Sequence, residues 1–308
     1  MNSMREALAA LPDTRHEDWR YTDLAPLKAR SWPEGVAQEN LWAFPLKAQP
    51  GLHVMPLGGL VTQVIKLEPN RHITLALHER GQGDVPALAM HNFEIELAEG
   101  SSLTLYRIQE PGPATNLISR LDATVGRDAR FTCVGLYAGG ALVRNDLNVS
   151  LAAPGAQAEL HGVLAPGAGE HLDVHTRLDH RAPHGTSREM FRCLVPARAR
   201  AIFNGKVIVH AGAQKTDSEQ HVDSLLLEPG AEVNAKPELE IYADDVKCAH
   251  GATCGQLDED ALYYLRSRGL DLPIARRLLL STFAHEVLDR IALAPARELA
   301  GRLLEARL

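Results

Sequence analysis

Short stretches of alternating apolar and polar residues recur along most of the chain from residue 52 to residue 242. Phe93–Leu97 and Leu103–Ile108 alternate cleanly, as strands do when they bury one face. Stretches of about six to ten residues are followed by turns that contain Gly or Pro, such as Pro154–Ala158 and Pro229–Glu232. No sustained helical period occurs between residues 116 and 242. This spacing predicts a β-sandwich, a β-barrel or a β-solenoid.

Two features of the turns favour the solenoid. A small residue accompanies the Gly or Pro at most turns, which suits tightly stacked corners, and the turns lack strong hairpin signals. The pair Asn204–Gly205 is the main indication of a hairpin instead. A solenoid pairs its strands in parallel and leaves two exposed ends, which need caps or partners.

Helical patterns replace the strand patterns after Leu257. Three acidic residues, 258–260, open a first helix that Gly269 closes, while Pro273 and Pro295 open a second and a third. The apolar stripe predicted for the second helix consists of Ile274, Leu278, Phe283, Val287, Leu288 and Ile291. Its remaining face carries Ser281, Thr282 and His285, which leaves room for a docking surface. We therefore expect an N-terminal helical and irregular cap over residues 1–60, a solenoid core over 61–255 and a helical domain over 256–308.

Composition and charge exclude several classes of function. The chain has 308 residues, a formal charge of −7 and a pI near 6.1, which argue against nucleic-acid binding and against anionic membranes. No apolar run approaches the ~18 residues of a membrane span, and Arg5 and Glu6 stand where a signal-peptide core would lie. Four cysteines are too sparse for a disulfide framework, which favours a reducing cytoplasm. No Walker A motif occurs, so any ATPase activity would belong to a partner.

Soft metal ligands cluster at one place, between the last strand pattern and the first helix. Cys248 and His250 would share one face of an extended strand, about 7 Å apart along the chain, with Cys254 nearby. From the residues alone, these three side chains suit either a shared partner or an ordinary last coil. A structural zinc site would need a fourth ligand that the sequence does not supply locally. A solenoid polysaccharide hydrolase would need paired carboxylates, and Asp244–Asp245 would point to opposite faces of a strand.

The remaining candidates favour ordinary structural roles. The histidines scattered through the strand patterns are more often hydrogen-bonded or exposed than metal ligands. Cys133 and Cys193 lie among apolar residues and are expected to be buried. Trp19 and Tyr21 are expected to pack an N-terminal arm onto the core.

The whole segment 242–270, with its Lys-Cys-Ala-His-Gly-Ala-Thr core, resembles the C-terminal signature of SufD-type subunits of the SUF iron–sulfur cluster assembly machinery, in the SufB/SufD family. Trp19–Leu24 and Gln220–Leu227 resemble further signatures of the same family. SufB-like chains carry a cysteine where Val222 stands and tend to carry a glutamate where His250 stands, so the resemblance is to SufD. The resemblance implies a right-handed parallel β-helix with a helical C-terminal domain. Many SufD chains have a longer N-terminal region, so a trimmed cap is expected here.

The resemblance also implies a complex and a site. The β-helix would pair with a SufB-like subunit, and the helical domain would bind a SufC-like ATPase, for which Ser281, Thr282 and His285 are the candidate contacts. His250 would be the functional residue of the SufB–SufD interface, as a metal ligand completed by the partner chain, with Cys248 a lesser candidate and Cys254 structural. An iron–sulfur cluster or iron would be held there transiently, with none in the isolated chain. We expect a non-catalytic cytoplasmic scaffold, and a homodimer of the isolated chain stays open.

Overall fold

Alternation of apolar and polar side chains winds the chain into a solenoid of parallel strands. The structure is a computed structural model that describes residues 4–30, Trp32, 51–81, Gly83 and 86–308. The strands are β1 (Leu52–Pro56), β2 (Gly59–Leu67), β3 (His72–Arg80), β4 (Ala87–Leu97), β5 (Ser102–Glu110), β6 (Thr115–Val125), β7 (Arg130–Tyr137), β8 (Leu142–Leu151), β9 (Gln157–Leu164), β10 (His171–His180), β11 (Thr186–Val195), β12 (Arg200–Val209), β13 (Asp217–Leu226), β14 (Glu232–Ile241) and β15 (Lys247–Gly255).

The strands divide into two sheets that face each other across a filled interior, the lumen. Odd-numbered strands form one sheet in the order β1 to β15 and even-numbered strands form the other, and every ladder is parallel. Each coil therefore adds one strand to each sheet. Side chains at alternate positions, such as Leu105, Phe131, Leu160 and Phe191, fill the lumen and are fully buried. The predicted parallel β-solenoid is confirmed.

The hairpin suggested by Asn204–Gly205 does not form, because both residues lie in the middle of β12. Gly205 occupies a lumen position, where a Cβ atom would collide with the amide nitrogen of Gln220 and the ring of Phe203. The glycine at this position is explained by crowding inside the solenoid and not by a turn.

The N-terminal arm is fastened to the outer face of the even-numbered sheet. It contains helix α1 (Met4–Ala10), a short 3-10 helix (Glu17–Trp19) and helix α2 (Ala25–Lys28). The guanidinium of Arg144 lies 3.8 Å from the Trp19 ring centroid, donates to the Asp18 carbonyl oxygen at 2.8 Å and pairs with buried Asp173 at 2.9 Å. The Thr22 hydroxyl donates to the same carboxylate. The prediction that the arm packs on the core is confirmed for Trp19, whereas Tyr21 is only partly buried.

Three helices follow the solenoid: the second and third pack on the outer face of the odd-numbered sheet, and the first packs against the second. They are α3 (Glu259–Ser267), α4 (Leu272–Leu288) and α5 (Ala294–Glu305). The Asp258 carboxylate caps α3 by accepting from the backbone N–H groups of residues 260 and 261, as the acidic cluster predicts.

The apolar stripe predicted for α4 is wrong in its first half. Ile274 and Leu278 are 55% and 46% exposed, while Ala275, Leu280 and Ala284 face the core. Alanine side chains are small, so they let the helix approach the sheet closely. The buried face of α4 is therefore narrower than the predicted apolar stripe and rotated about the helix axis relative to it. The second half follows the prediction: Val287 and Leu288, at the end of α4, and Ile291, just after it, are fully buried.

The solenoid ends in an open coil. Strand β14 pairs only with β12, and β15 pairs only with β13, so among the described residues each leaves one edge without a neighbour. Among the described helices, none combines the length and apolarity needed to cross a membrane. The domain boundaries after residues 60 and 255 stay predictions: β1 lies inside the segment assigned to the cap, and residues 33–50 of that segment lie outside the described part of the chain.

Candidate functional site

The candidate site is the row of alternate side chains on β15 that continues the lumen wall into the open coil. Cys248, His250 and Cys254 have the parity of the lumen positions, because they are in register with buried Ser218, Gln220 and Ser224 of β13. Among the described residues no further coil covers the row, so Cys248 is partly buried and His250 and Cys254 are exposed. The structure thus places Cys248 and His250 on one face of one strand, and it adds Cys254 to the same row.

A buried polar column lies directly below His250. Gln220 is its neighbour on β13, and Glu189 is the neighbour of Gln220 on β11. Both are almost completely buried, and the Gln220 Nε2 donates to Glu189 Oε2 at 2.5 Å. Burial raises the pKa of Glu189 to about 7, against the opposing hydrogen bond from Gln220, and no nearby cation of the described residues lowers it.

A second polar column lies below Cys248. The Ser187 hydroxyl donates to the Ser218 hydroxyl at 2.8 Å, and His180 Nε2 lies 2.8 Å from the Ser187 oxygen. Cys248 continues this column onto β15. Burial raises the pKa of the Cys248 thiol, so this thiol is less ready to ionise than an ordinary one.

The third column consists of Cys193, Ser224 and Cys254 on successive odd-numbered strands. Cys193 is fully buried and burial raises the pKa of its thiol to about 12, which makes it inert as a nucleophile. Cys133 is buried in the same way, with a pKa raised to about 12. The expectation of buried Cys133 and Cys193 is confirmed, whereas Cys254 is exposed and not part of a core.

The row cannot complete a metal site by itself. Within the part of the chain that the structure describes, no group of three or more His, Cys, Asp or Glu side chains is placed to hold a metal ion. Imidazole and thiolate are nevertheless suitable ligands for iron, so the row offers part of a coordination sphere. The opposite wall of the open coil, on β14, is apolar and includes Val233, Ala235 and Leu239.

The acidic pair considered for hydrolysis lies elsewhere. The sequence suggested that Asp244 and Asp245 lie on a strand, but both lie in a bend before β15. Asp245 forms an ion pair with Lys215. Two histidines outside the lumen also contact carboxylates: His210 lies 3.0 Å from Asp179, and His221 lies 2.8 Å from Glu219.

A second exposed surface runs along the helices. Ser281, Thr282 and His285 lie on α4, where Ser281 donates to Glu305, Thr282 donates to the Leu278 carbonyl and His285 approaches Asp289. Exposed apolar side chains lie on the same helix and on α3, and we call them the helical apolar patch: Tyr263, Tyr264, Leu272, Ile274 and Leu278. Ile274, Leu278 and Thr282 follow one another at intervals of four residues, so the patch is continuous with the predicted contacts.

Glu189 and Gln220 are residues that sequence reasoning missed. Gln220 belongs to the segment Gln220–Leu227, in which the sequence pattern distinguishes only Val222. The available signal is a polar residue at a lumen position, namely Glu189 between Ser187 and Phe191 in the alternation of β11. That signal can be recognised only once it is known which face of the strand lines the lumen.

Comparison with known proteins finds similarity over most of the chain. Residues 59–283 match the family model described as SUF system FeS cluster assembly, SufBD core domain. The chain is 37% identical over 210 residues to an iron–sulfur cluster assembly SufBD family protein of Synechocystis sp., 33% over 199 residues to iron–sulfur cluster assembly protein SufD of Escherichia coli K12, and 41% over 175 residues to chloroplastic protein ABCI7 of Arabidopsis thaliana. These alignments cover 68%, 65% and 56% of this chain, and 46%, 47% and 36% of the relatives. The chain therefore spans about half, or less, of the length of these relatives.

Proposed function

Because the chain belongs to the SufBD family of the SUF system for iron–sulfur cluster assembly, we propose that it is a non-catalytic SufD-type scaffold that holds iron or a nascent cluster at the row Cys248–His250. One observation carries this proposal. The row lies on the unpaired edge strand of an open coil, where its soft ligands are available to a second chain. The ligands are too few for a site within one chain, so the partner must supply the others.

The partner proposed for the open coil is a SufB-like β-helix. Strands β14 and β15 each present an unpaired backbone edge, and such edges pair readily with another strand. A second parallel solenoid would continue both sheets across the contact and would bring its own ligands to His250. Without that partner, the same edges favour self-association of the isolated chain as a homodimer.

Iron content of the assembled complex tests the site. In the complex co-expressed with SufB-like and SufC-like partners, His250→Ala is expected to lose most of the iron and sulfide while the subunits still assemble, because a ligand is removed from an exposed position. The matched control is Thr253→Ala, on the same strand with the opposite parity, which is expected to keep wild-type iron.

Two outcomes would contradict this proposal in different ways. Wild-type iron content in His250→Ala would show that the site is assigned wrongly, and Cys248→Ser would be measured next. Failure of the wild-type chain to assemble with a SufB-like subunit would instead remove the proposed partner.

The helical domain is proposed to dock a SufC-like ATPase. The supporting observation is the helical apolar patch, which exposes two tyrosines and three aliphatic side chains beside Ser281, Thr282 and His285. Exposed apolar surface of this kind, rimmed by polar groups, is typical of interfaces. The patch consists of side chains on α3 and α4, whereas the proposed pairing with the SufB-like chain uses the backbone edges of β14 and β15, so the two proposed contacts use different residues.

Introducing negative charges into the helical apolar patch tests this docking site. The double variant Ile274→Asp/Leu278→Asp is expected to weaken binding of the SufC-like ATPase by roughly 30-fold or more, because two apolar anchors would become charged. Isothermal titration calorimetry measures the change, with circular dichroism to check the fold. Arg297→Asp, at an exposed position in the first turn of α5, is the control and is expected to bind normally. Equal binding by the double variant would place the ATPase elsewhere.

A further inference from the structure

The amide of Gln220, the residue below His250, is held in one orientation by its surroundings. Its Nε2 donates to Glu189 Oε2 at 2.5 Å, and the Glu189 side chain is fully enclosed. Gly205 on the opposite sheet leaves the space that this nitrogen occupies, since a Cβ there would collide with it. An amide whose nitrogen is fixed in this way must direct its oxygen to the other side.

That oxygen has no hydrogen-bond partner in the described part of the protein, although Gln220 is completely buried. A buried acceptor without a donor costs free energy and calls for an explanation. On the β11 side, Glu189 accepts the hydrogen bond from the Gln220 nitrogen. On the β15 side, the residue in register with Gln220 is His250. The imidazole of His250 is a donor that makes no hydrogen bond to the described residues, so an unmatched donor and an unmatched acceptor lie on neighbouring strands.

We propose that Gln220, oriented by Glu189, accepts a hydrogen bond from one ring nitrogen of His250 and thereby fixes the tautomer of the imidazole. The other ring nitrogen then carries the lone pair and is directed away from Gln220, towards the open end of the coil. Histidines that bind metals commonly donate their second N–H to an acceptor of this kind, which sets ring orientation and basicity. Glu189 and Gln220 are positioning residues that act through His250, and this inference rests on the proposed role of His250.

The tautomer of His250 can be measured in the whole chain without iron. Nitrogen-15 NMR of histidine-labelled protein at pH 9, where Glu189 is ionised and can only accept hydrogen bonds, distinguishes the two neutral tautomers, and His250→Ala assigns the signal. In the wild type we expect one tautomer to dominate. In Gln220→Met, which keeps the volume but removes the acceptor, the ratio of the two tautomers is expected to fall by about five-fold, the effect of one net hydrogen bond. An unchanged ratio in Gln220→Met would overturn the proposal.

A second variant tests the role of Glu189 separately. In Glu189→Gln the partner of Gln220 can itself donate, so the Gln220 amide is no longer held in one orientation and the tautomer ratio is expected to move towards unity. A wild-type ratio in this variant would show that Glu189 does not orient Gln220. The control is Ser224→Ala, which removes a buried hydroxyl from the same strand beneath Cys254 and is expected to leave the ratio unchanged.

These measurements are independent of the iron content of the complex. If His250→Ala retained wild-type iron, the proposed function of the site would fail while the tautomer result stood. If iron were lost in His250→Ala but the tautomer ratio did not respond to Gln220→Met, the site would stand and the positioning role would fail.

Discussion

Glu79→Gln is expected to destabilise the folded protein by about 3–5 kcal/mol, the largest effect of a single substitution anticipated for this chain. Glu79 and Arg107 form a fully buried ion pair in the lumen, with two hydrogen bonds of 2.7 and 3.0 Å between them. Gln109 also donates to Glu79, at 3.0 Å. Removing the negative charge leaves the Arg107 guanidinium buried without a counter-ion, and a buried unpaired charge is costly. Urea denaturation at pH 7 measures the loss.

The double variant Glu79→Leu/Arg107→Met distinguishes an unpaired charge from lost packing. Because neither charge remains, the double variant is expected to regain a large part of the stability that either single substitution removes. A double variant as unstable as the sum of the two single variants would show that the surrounding hydrogen bonds of Ser119, Gln109 and Asn145 matter more than the ion pair.

The stability that Glu79 provides has a defined pH dependence. Burial alone would raise its pKa, but the charge and hydrogen bonds of Arg107, with a contribution from His91, lower the pKa of Glu79 from 4.5 to about 2. A carboxyl group with a lowered pKa stabilises the fold above its ordinary pKa and loses this contribution as the pH falls. The contribution of Glu79 is therefore expected above pH 4.5 and should disappear as the pH approaches 2.

The sequence predicts the solenoid well because its local signals agree with one another. Alternation locates strands such as β5 and β7, and the capping carboxylate of Asp258 locates α3 within one residue. Local signals do not predict which strands pair with each other. Leu105 lies beside Cys133, and Gln220 beside His250, so each strand pairs with one about 30 residues away. Nothing in a single strand encodes that neighbour, and only the regular spacing of the turns suggested it.

The contents of the lumen could not be predicted from alternation. In Leu103–Ile108 one face carries Leu103, Leu105 and Arg107 while the other carries Tyr106 and Ile108. The C-terminal helices cover the outer face, so both faces are buried and a charged residue on one face does not mark it as solvent-exposed.

The candidate site shows the same division between local and distant information. The shared face of Cys248 and His250 follows from strand geometry, since residues two apart point the same way. The exposure of Cys254 does not, because it depends on the absence of a further coil over β15 among the described residues. The functional role of His250 and Cys248 remains a prediction until iron content is measured.

Glu189→Gln is expected to stabilise the folded protein at pH 8 by about 1–3 kcal/mol, whereas Glu79→Gln destabilises it. Both glutamates are fully enclosed in the same lumen, but no basic side chain among the described residues pairs with Glu189. Burial therefore raises the pKa of Glu189 from 4.5 to about 7, against the weaker effect of the hydrogen bond from Gln220. Ionising this carboxyl in place costs free energy that a neutral glutamine avoids.

Proton binding by Glu189 determines how the stability of the wild type changes with pH. Between pH 4.5 and 7 the folded state holds a proton on Glu189 that the unfolded chain releases, so the stability of the wild type falls as the pH rises through this range. The stability difference between Glu189→Gln and wild type should thus grow by about 2 kcal/mol between pH 5 and pH 8 when both are unfolded with urea. A difference independent of pH would mean that the pKa of Glu189 in the folded state stays near 4.5 and that burial does not penalise its ionised form. A pH-dependent difference would show that the polar column below His250 is costly to the fold at neutral pH, as expected of residues kept to position a ligand and not to stabilise a coil.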